Sequence, residues 1–188
     1  MIYGLYERYQ ETKKQYTEYP ADYEGNETCV DRKTAACQNE GVTIEKLLSI
    51  HVRHGNEPFG AVLVKDGEIV FENENQIYTK HDYTFHAEMG LIRRFVEETG
   101  INDLSDYTLY SSCEPCYMCS GAMVWAKLGR LVYAASDIEL CEILGSKGSE
   151  CSKIVFENSH AKPSVTSGVL KEESLAVLRD YFGKHEKN

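Results

Sequence analysis

No apolar run in the 188 residues approaches the length of a membrane span. The start, Met1-Ile2-Tyr3-Gly4-Leu5-Tyr6-Glu7-Arg8, lacks the apolar core of a secretory signal, so the chain is expected in the cytoplasm. Cationic residues are also scarce. Twenty Lys and Arg stand against 30 Asp and Glu, for a formal net charge of −10 and a pI near 5.1. Binding to nucleic acid rests largely on cations that neutralise phosphates. No Lys/Arg cluster stands out, so the balance disfavours a long polyanionic partner and favours a small-molecule substrate. Internal repeats and low-complexity tracts are absent. Seven cysteines, an odd number without secretory context, exclude a disulfide framework and point to metal binding for some of them.

What remains is an ordinary globular mix, 42% hydrophobic and 27% charged, sized for one domain with an appendage. Residues 1–40 carry tyrosines among charges, interrupted by Pro20 and Gly25-Asn26, and read as an accessory segment. Cys29 and Cys37 lack compact ligand spacing there. A domain over 41–188 follows. Ile44, Leu47, Leu48 and His51 repeat at helical spacing from Thr43. Phe59–Val64 is a buried-type strand, Asp66-Gly67 a hairpin turn, and Glu68–Asn73 the returning strand. After a polar loop over 75–83, Thr84 is the expected N-cap of a helix that Gly100 ends. Tyr107–Ser111 and Arg130–Ala135 are strands on either side of a helix over Cys116–Ala126, with Pro115 at its start. This order implies a parallel crossover. A helix near Ile138–Leu144, a strand at Lys153–Glu157 and a helix over Leu170–Phe182 complete the chain. The expected fold is α/β, a three-layer α/β/α sandwich around a mixed five-stranded sheet.

Two short segments carry the chemistry, His86-Ala87-Glu88 and Pro115-Cys116-Tyr117-Met118-Cys119. Cys116 and Cys119 are spaced to share one face of a helix start, where the dipole favours thiolates. With His86 they make a mixed thiolate and imidazole set suited to one zinc ion, leaving a fourth position for water. Glu88 lies close enough to move that water's proton without ligating the metal. A structural zinc site normally takes four protein ligands, so that alternative would require Cys113 or Cys141 to join.

Phe59–Val64, His86-Ala87-Glu88, Ser112–Met123 and Gly129–Tyr133 together resemble the cytidine/deoxycytidylate-type zinc deaminase superfamily. The likeness is to the branch of guanine deaminases and tRNA wobble-adenosine deaminases. The resemblance implies zinc ligands His86, Cys116 and Cys119, a proton shuttle at Glu88, and base contact by Asn75, eleven residues before the histidine. It also implies a homodimer. Ala87 beside the ligand, and Phe59, Trp125 and Phe182 as stacking rings, are further substrate-contact candidates. Asp137 and Glu139 either accept bonds from an aminated ring or cap the helix that starts there. The expected reaction is hydrolytic release of ammonia from an amino-substituted nucleobase, nucleoside or related heterocycle, a guanine-type purine being favoured. A tRNA adenosine deaminase and a non-enzymatic zinc-stabilised binding module are the alternatives. Tyr83 and Phe85 replace the smaller residues usual before the histidine and can reshape the pocket mouth.

Overall fold

The computed structural model describes residues 56–183. The expected accessory segment 1–40, the helix from Thr43, and Cys29 and Cys37 lie outside them.

Two antiparallel strands open the described fold, β1 (Gly60–Lys65) and β2 (Glu68–Glu74). Asp66 and Gly67 join them with φ values of 52° and 82°, the left-handed pair a tight two-residue hairpin needs. The polar loop holds one short helical turn, α1 (Ile77–Lys80). Helix α2 (Ala87–Thr99) follows and stops at Gly100, whose φ of 73° suits a left-handed C-cap. Its N-cap is His86 rather than Thr84. Thr84 is instead folded back onto Asp82, which accepts both its N–H and its hydroxyl. Strand β3 (Thr108–Cys113), helix α3 (Tyr117–Trp125) and strand β4 (Arg130–Ala135) form the expected unit, and β3 and β4 pair in parallel. Helix α3 is capped by Cys116, so Pro115 lies one residue outside it. Helix α4 (Asp137–Ile143) comes next.

Residues 151–157 correct the sequence reading. The expected strand at Lys153–Glu157 is helix α5 (Cys151–Glu157). Ile154, Val155 and Phe156 are good strand formers, but the buried positions are 151, 152 and 156, a helical spacing rather than an alternation. The fifth strand is β5 (Ser164–Ser167), just after Pro163, pairing in parallel with β4. Helix α6 (Lys171–Phe182) closes the described chain.

The sheet order is β2-β1-β3-β4-β5, a mixed five-stranded sheet, as expected. One face buries Ala61, Leu63, Leu109 and Leu131 against Leu91 and Phe95 of α2, Met123 of α3 and Phe156 of α5. The other turns Val62, Val64, Tyr110, Val132 and Ala134 inward, with Val169 and Leu170 against them. Beyond the carboxyl ends of β3 and β4, Cys113 and Ala135 pack with Leu175 and Leu178 of α6. Gly129 allows the turn into β4 to run against the Ser105 carbonyl, where any Cβ would collide with backbone. No helix among the described residues is long and apolar enough to cross a membrane.

Candidate metal and active site

Both key segments open helices. His86 and Cys116 occupy the N-cap positions of α2 and α3 with extended backbones, and neither side chain caps its helix. Cys119 sits one turn further into α3, fully buried. The ligand atoms of His86, Cys116 and Cys119 lie within 4.8 Å of one another, the one such cluster among the described residues. Cys116 Sγ is 3.6 Å from His86 Nδ1. Cys113 and Cys141 do not join this group. Cys113 Sγ instead faces the Ser136 carbonyl at 3.9 Å, and Cys141 Sγ faces Asp137 at 3.9 Å.

The electrostatics of the trio fit a soft cation. The Cys119 thiol, hydrogen-bonded to Cys116 with His86 on its other side, brings the Cys116 thiol down to about 4. The same bond, with burial, pushes Cys119 well up, because it holds the proton the pair shares. His86 is raised by its bond to Cys116. Two cysteine sulfurs and one imidazole thus converge without a fourth protein ligand among the described residues. That is the donor set of an open zinc site.

Glu88 is the buried carboxylate of the site, 6% exposed. Burial raises its proton affinity, and the Ser111 hydroxyl donates to Oε1 at 2.7 Å. The sequence places Ser111 at the end of a strand, but as a small polar residue there it carries no sign of this role. Asn73 is a second unanticipated group. Its Nδ2 reaches the Ala87 carbonyl at 2.9 Å, and Gly90 leaves room for it, since a Cβ there would lie 2.6 Å from that nitrogen.

The substrate-contact candidates divide. Asn75 is buried, its backbone N–H donating to the Phe59 carbonyl at 2.9 Å and its Oδ1 accepting from Ile77 N–H at 3.0 Å. Its Nδ2 points to Glu57 Oε2 at 3.4 Å. Phe59 and Phe182 face each other with centroids 6.2 Å apart, and Tyr181 stands edge-on to Phe182. Ala87 is fully buried beside His86. Trp125, in contrast, is 81% exposed at the far end of α3 and contacts His160 there. Six residues of helix beyond Cys119 put it roughly 9 Å further along the axis, outside its own chain's site. Glu139 completes a capping box with Ser136 and pairs with Lys171 at 3.0 Å, so its carboxylate is engaged by the helix start. Asp137 accepts the Ser149 N–H at 3.0 Å.

The profile of the cytidine and deoxycytidylate deaminase zinc-binding region matches residues 42–135. The chain belongs to this family. A guanine deaminase of Bacillus subtilis is 47% identical over 85 residues, 45% of this chain and 54% of that protein, so the chain spans about half the length of that relative. A tRNA-specific adenosine deaminase of Agrobacterium fabrum is 36% identical over 125 residues, 66% of this chain and 80% of that one. Among solved structures, one from work on A-to-I editing by tRNA:A34 deaminases superposes with a TM-score of 0.57 at 31% identity. It covers 74% of this chain and 96% of the other. The family and these relatives are hydrolytic deaminases acting on C–N bonds.

Proposed function

We propose that the protein is a zinc-dependent hydrolytic deaminase of an amino-substituted nucleobase or nucleoside, with a guanine-type purine favoured. The observation that carries the reaction is the buried Glu88 beside the His86, Cys116 and Cys119 cradle. In this reading those three residues hold one zinc ion per chain. Bound there, zinc supplies the Lewis acidity that makes water a nucleophile near neutral pH. Ser111 fixes Glu88 Oε1, which leaves Oε2 to work as the moving base. Glu88 takes one proton from the attacking water, holds it in a buried setting that favours the neutral acid, and gives it to a ring nitrogen; it then takes the second, from the hydroxyl now on the ring carbon, and gives it to the departing amine. The carbonyl product and ammonia complete the balance. Asn75 fixes the ring at the mouth, with Phe59 and Phe182 along its side.

The 47% identity to a guanine deaminase and the net charge of −10 support a small purine. The likeness to a tRNA-specific adenosine deaminase over 80% of its length supports the second reading, deamination of a tRNA adenosine. An ammonia-release panel of guanine, cytosine, adenosine and guanosine, run beside inosine analysis of a transcribed tRNA anticodon arm, separates the two. Ammonia from a free ring without inosine supports the first; inosine alone replaces it with the second. Silence in both, with zinc loaded, removes the enzymatic reading.

A homodimer belongs to the proposal, because the exposed Trp125 has no role in its own chain's site; light scattering showing only monomer contradicts it. Residues 1–40 are proposed as an accessory segment beside the 41–188 deaminase domain. The free cysteines among the described residues suit a reducing compartment, and the cytoplasm is proposed as the place of action.

A further inference from the structure

Glu57 is a carboxylate held beside the base-contact candidate Asn75, and neither the zinc cradle nor the proton shuttle uses it. It lies in the turn before β1, half-buried. Tyr78 donates its hydroxyl to Oε1 at 3.1 Å, and Asn75 turns Nδ2 toward Oε2 at 3.4 Å. Phe59, two residues on, faces Phe182 of α6 with centroids 6.2 Å apart. No lysine or arginine ion pair to Glu57 occurs among the described residues.

An ionised carboxylate has about four acceptor positions, and two are taken by Tyr78 and Asn75. Asn75 has already committed Oδ1 to the Ile77 N–H. The spare hydrogen-bonding capacity at this edge is therefore mostly acceptor, and it carries negative charge. Such an edge accepts a ring N–H or a second amino group and repels a phosphate.

Resting on the deaminase reading, we infer that Glu57 is a specificity residue. Its carboxylate accepts a hydrogen bond from a ring N–H or exocyclic amino donor, restricting the site to unphosphorylated, donor-bearing heterocycles.

The test measures binding rather than turnover. Zinc-loaded protein carrying Glu88→Gln is titrated calorimetrically with 8-azaguanine and with guanosine 5′-monophosphate, with and without Glu57→Gln. A hydrogen bond to a charged acceptor corresponds to about a tenfold loss or more when the charge is removed. The base should weaken by at least that factor in the double variant, while the nucleotide holds or improves. The same preference should appear with Glu57 intact, as tighter binding of 8-azaguanine than of a ring methylated at its donor nitrogens. An unchanged base-to-nucleotide ratio overturns the role of Glu57 and leaves the deaminase reading standing. Failure of either protein to bind any ring overturns both.

Discussion

Two carboxylates, each 6% exposed, stand two residues from a cradle residue in the chain, Glu88 after His86 and Glu114 before Cys116, and are treated in opposite ways by the fold. Glu114, between β3 and Cys116, accepts three hydrogen bonds. Ser152 gives it a backbone N–H at 3.1 Å and a hydroxyl at 2.6 Å, and Asp137 N–H adds a third bond at 3.2 Å. Those bonds tie the starts of α4 and α5 to the end of β3. Glu88 receives the Ser111 hydroxyl and its own backbone N–H, and burial pushes its proton affinity up. A carboxylate that holds a structure is given donors from several elements at once. One meant to exchange protons is kept buried and under-satisfied.

The sharpest break of this contrast is Glu88→Gln. Turnover should fall by about 10²–10⁴ while metal analysis finds zinc still bound; parent-like turnover would remove Glu88 from the proton path. The complementary change, Glu114→Ala, strands two buried donors on Ser152 and a part-buried one on Asp137, and should cost about 3 kcal/mol in urea unfolding. Glu114→Gln should cost less, because one oxygen remains to accept. An unfolding midpoint unmoved by Glu114→Ala would deny its role as the tie. Ser111→Ala is milder. Losing a donor to the carboxylate favours the neutral acid, so the acidic limb of kcat/KM should move to higher pH, with a loss of about tenfold at most. A limb shifted to lower pH would contradict the assignment.

The smallest effect belongs to a surface carboxylate far from either. Asp103, held at about 2 by Lys127 with help from Ser105, has a folded pKa below its ordinary 3.8. A depressed carboxylate contributes stability that is complete above the ordinary value and lost as pH falls through the folded one. Asp103→Asn should therefore flatten the stability profile between about pH 4 and 2, with a slight loss of stability that is constant above about pH 4 and fades towards pH 2. Exposure and salt screening keep this effect slight.

The zinc cradle was legible because its spacing is local: Cys116 and Cys119 share a face of any helix that starts there, and His86 needs only another helix start to meet them. Asp66-Gly67 and Gly100 were legible for the same reason, since a positive φ leaves few residue choices. Long-range polar partners were not. Glu114 reaching Ser152 across 38 residues is what anchors the start of α5, and it outweighs the strand preference of Ile154, Val155 and Phe156. Strand β5 escaped notice because Ser-Val-Thr-Ser, exposed at a sheet edge, shows no apolar alternation. Glu57 carries no signal of its own in the sequence, and only the fold brings Asn75 and Tyr78 to it.

The cap positions of α2 and α3 carry a further consequence. Ordinarily the residue at such a position uses its side chain to tie down the first free N–H groups of the helix. His86 and Cys116 do not, which leaves two helix starts unfastened from within. An ion gripped by both would be a single rivet through two helices. Chelation should then loosen the pair together, speeding amide exchange at 87–90 and 117–120 while the sheet beneath them stays protected.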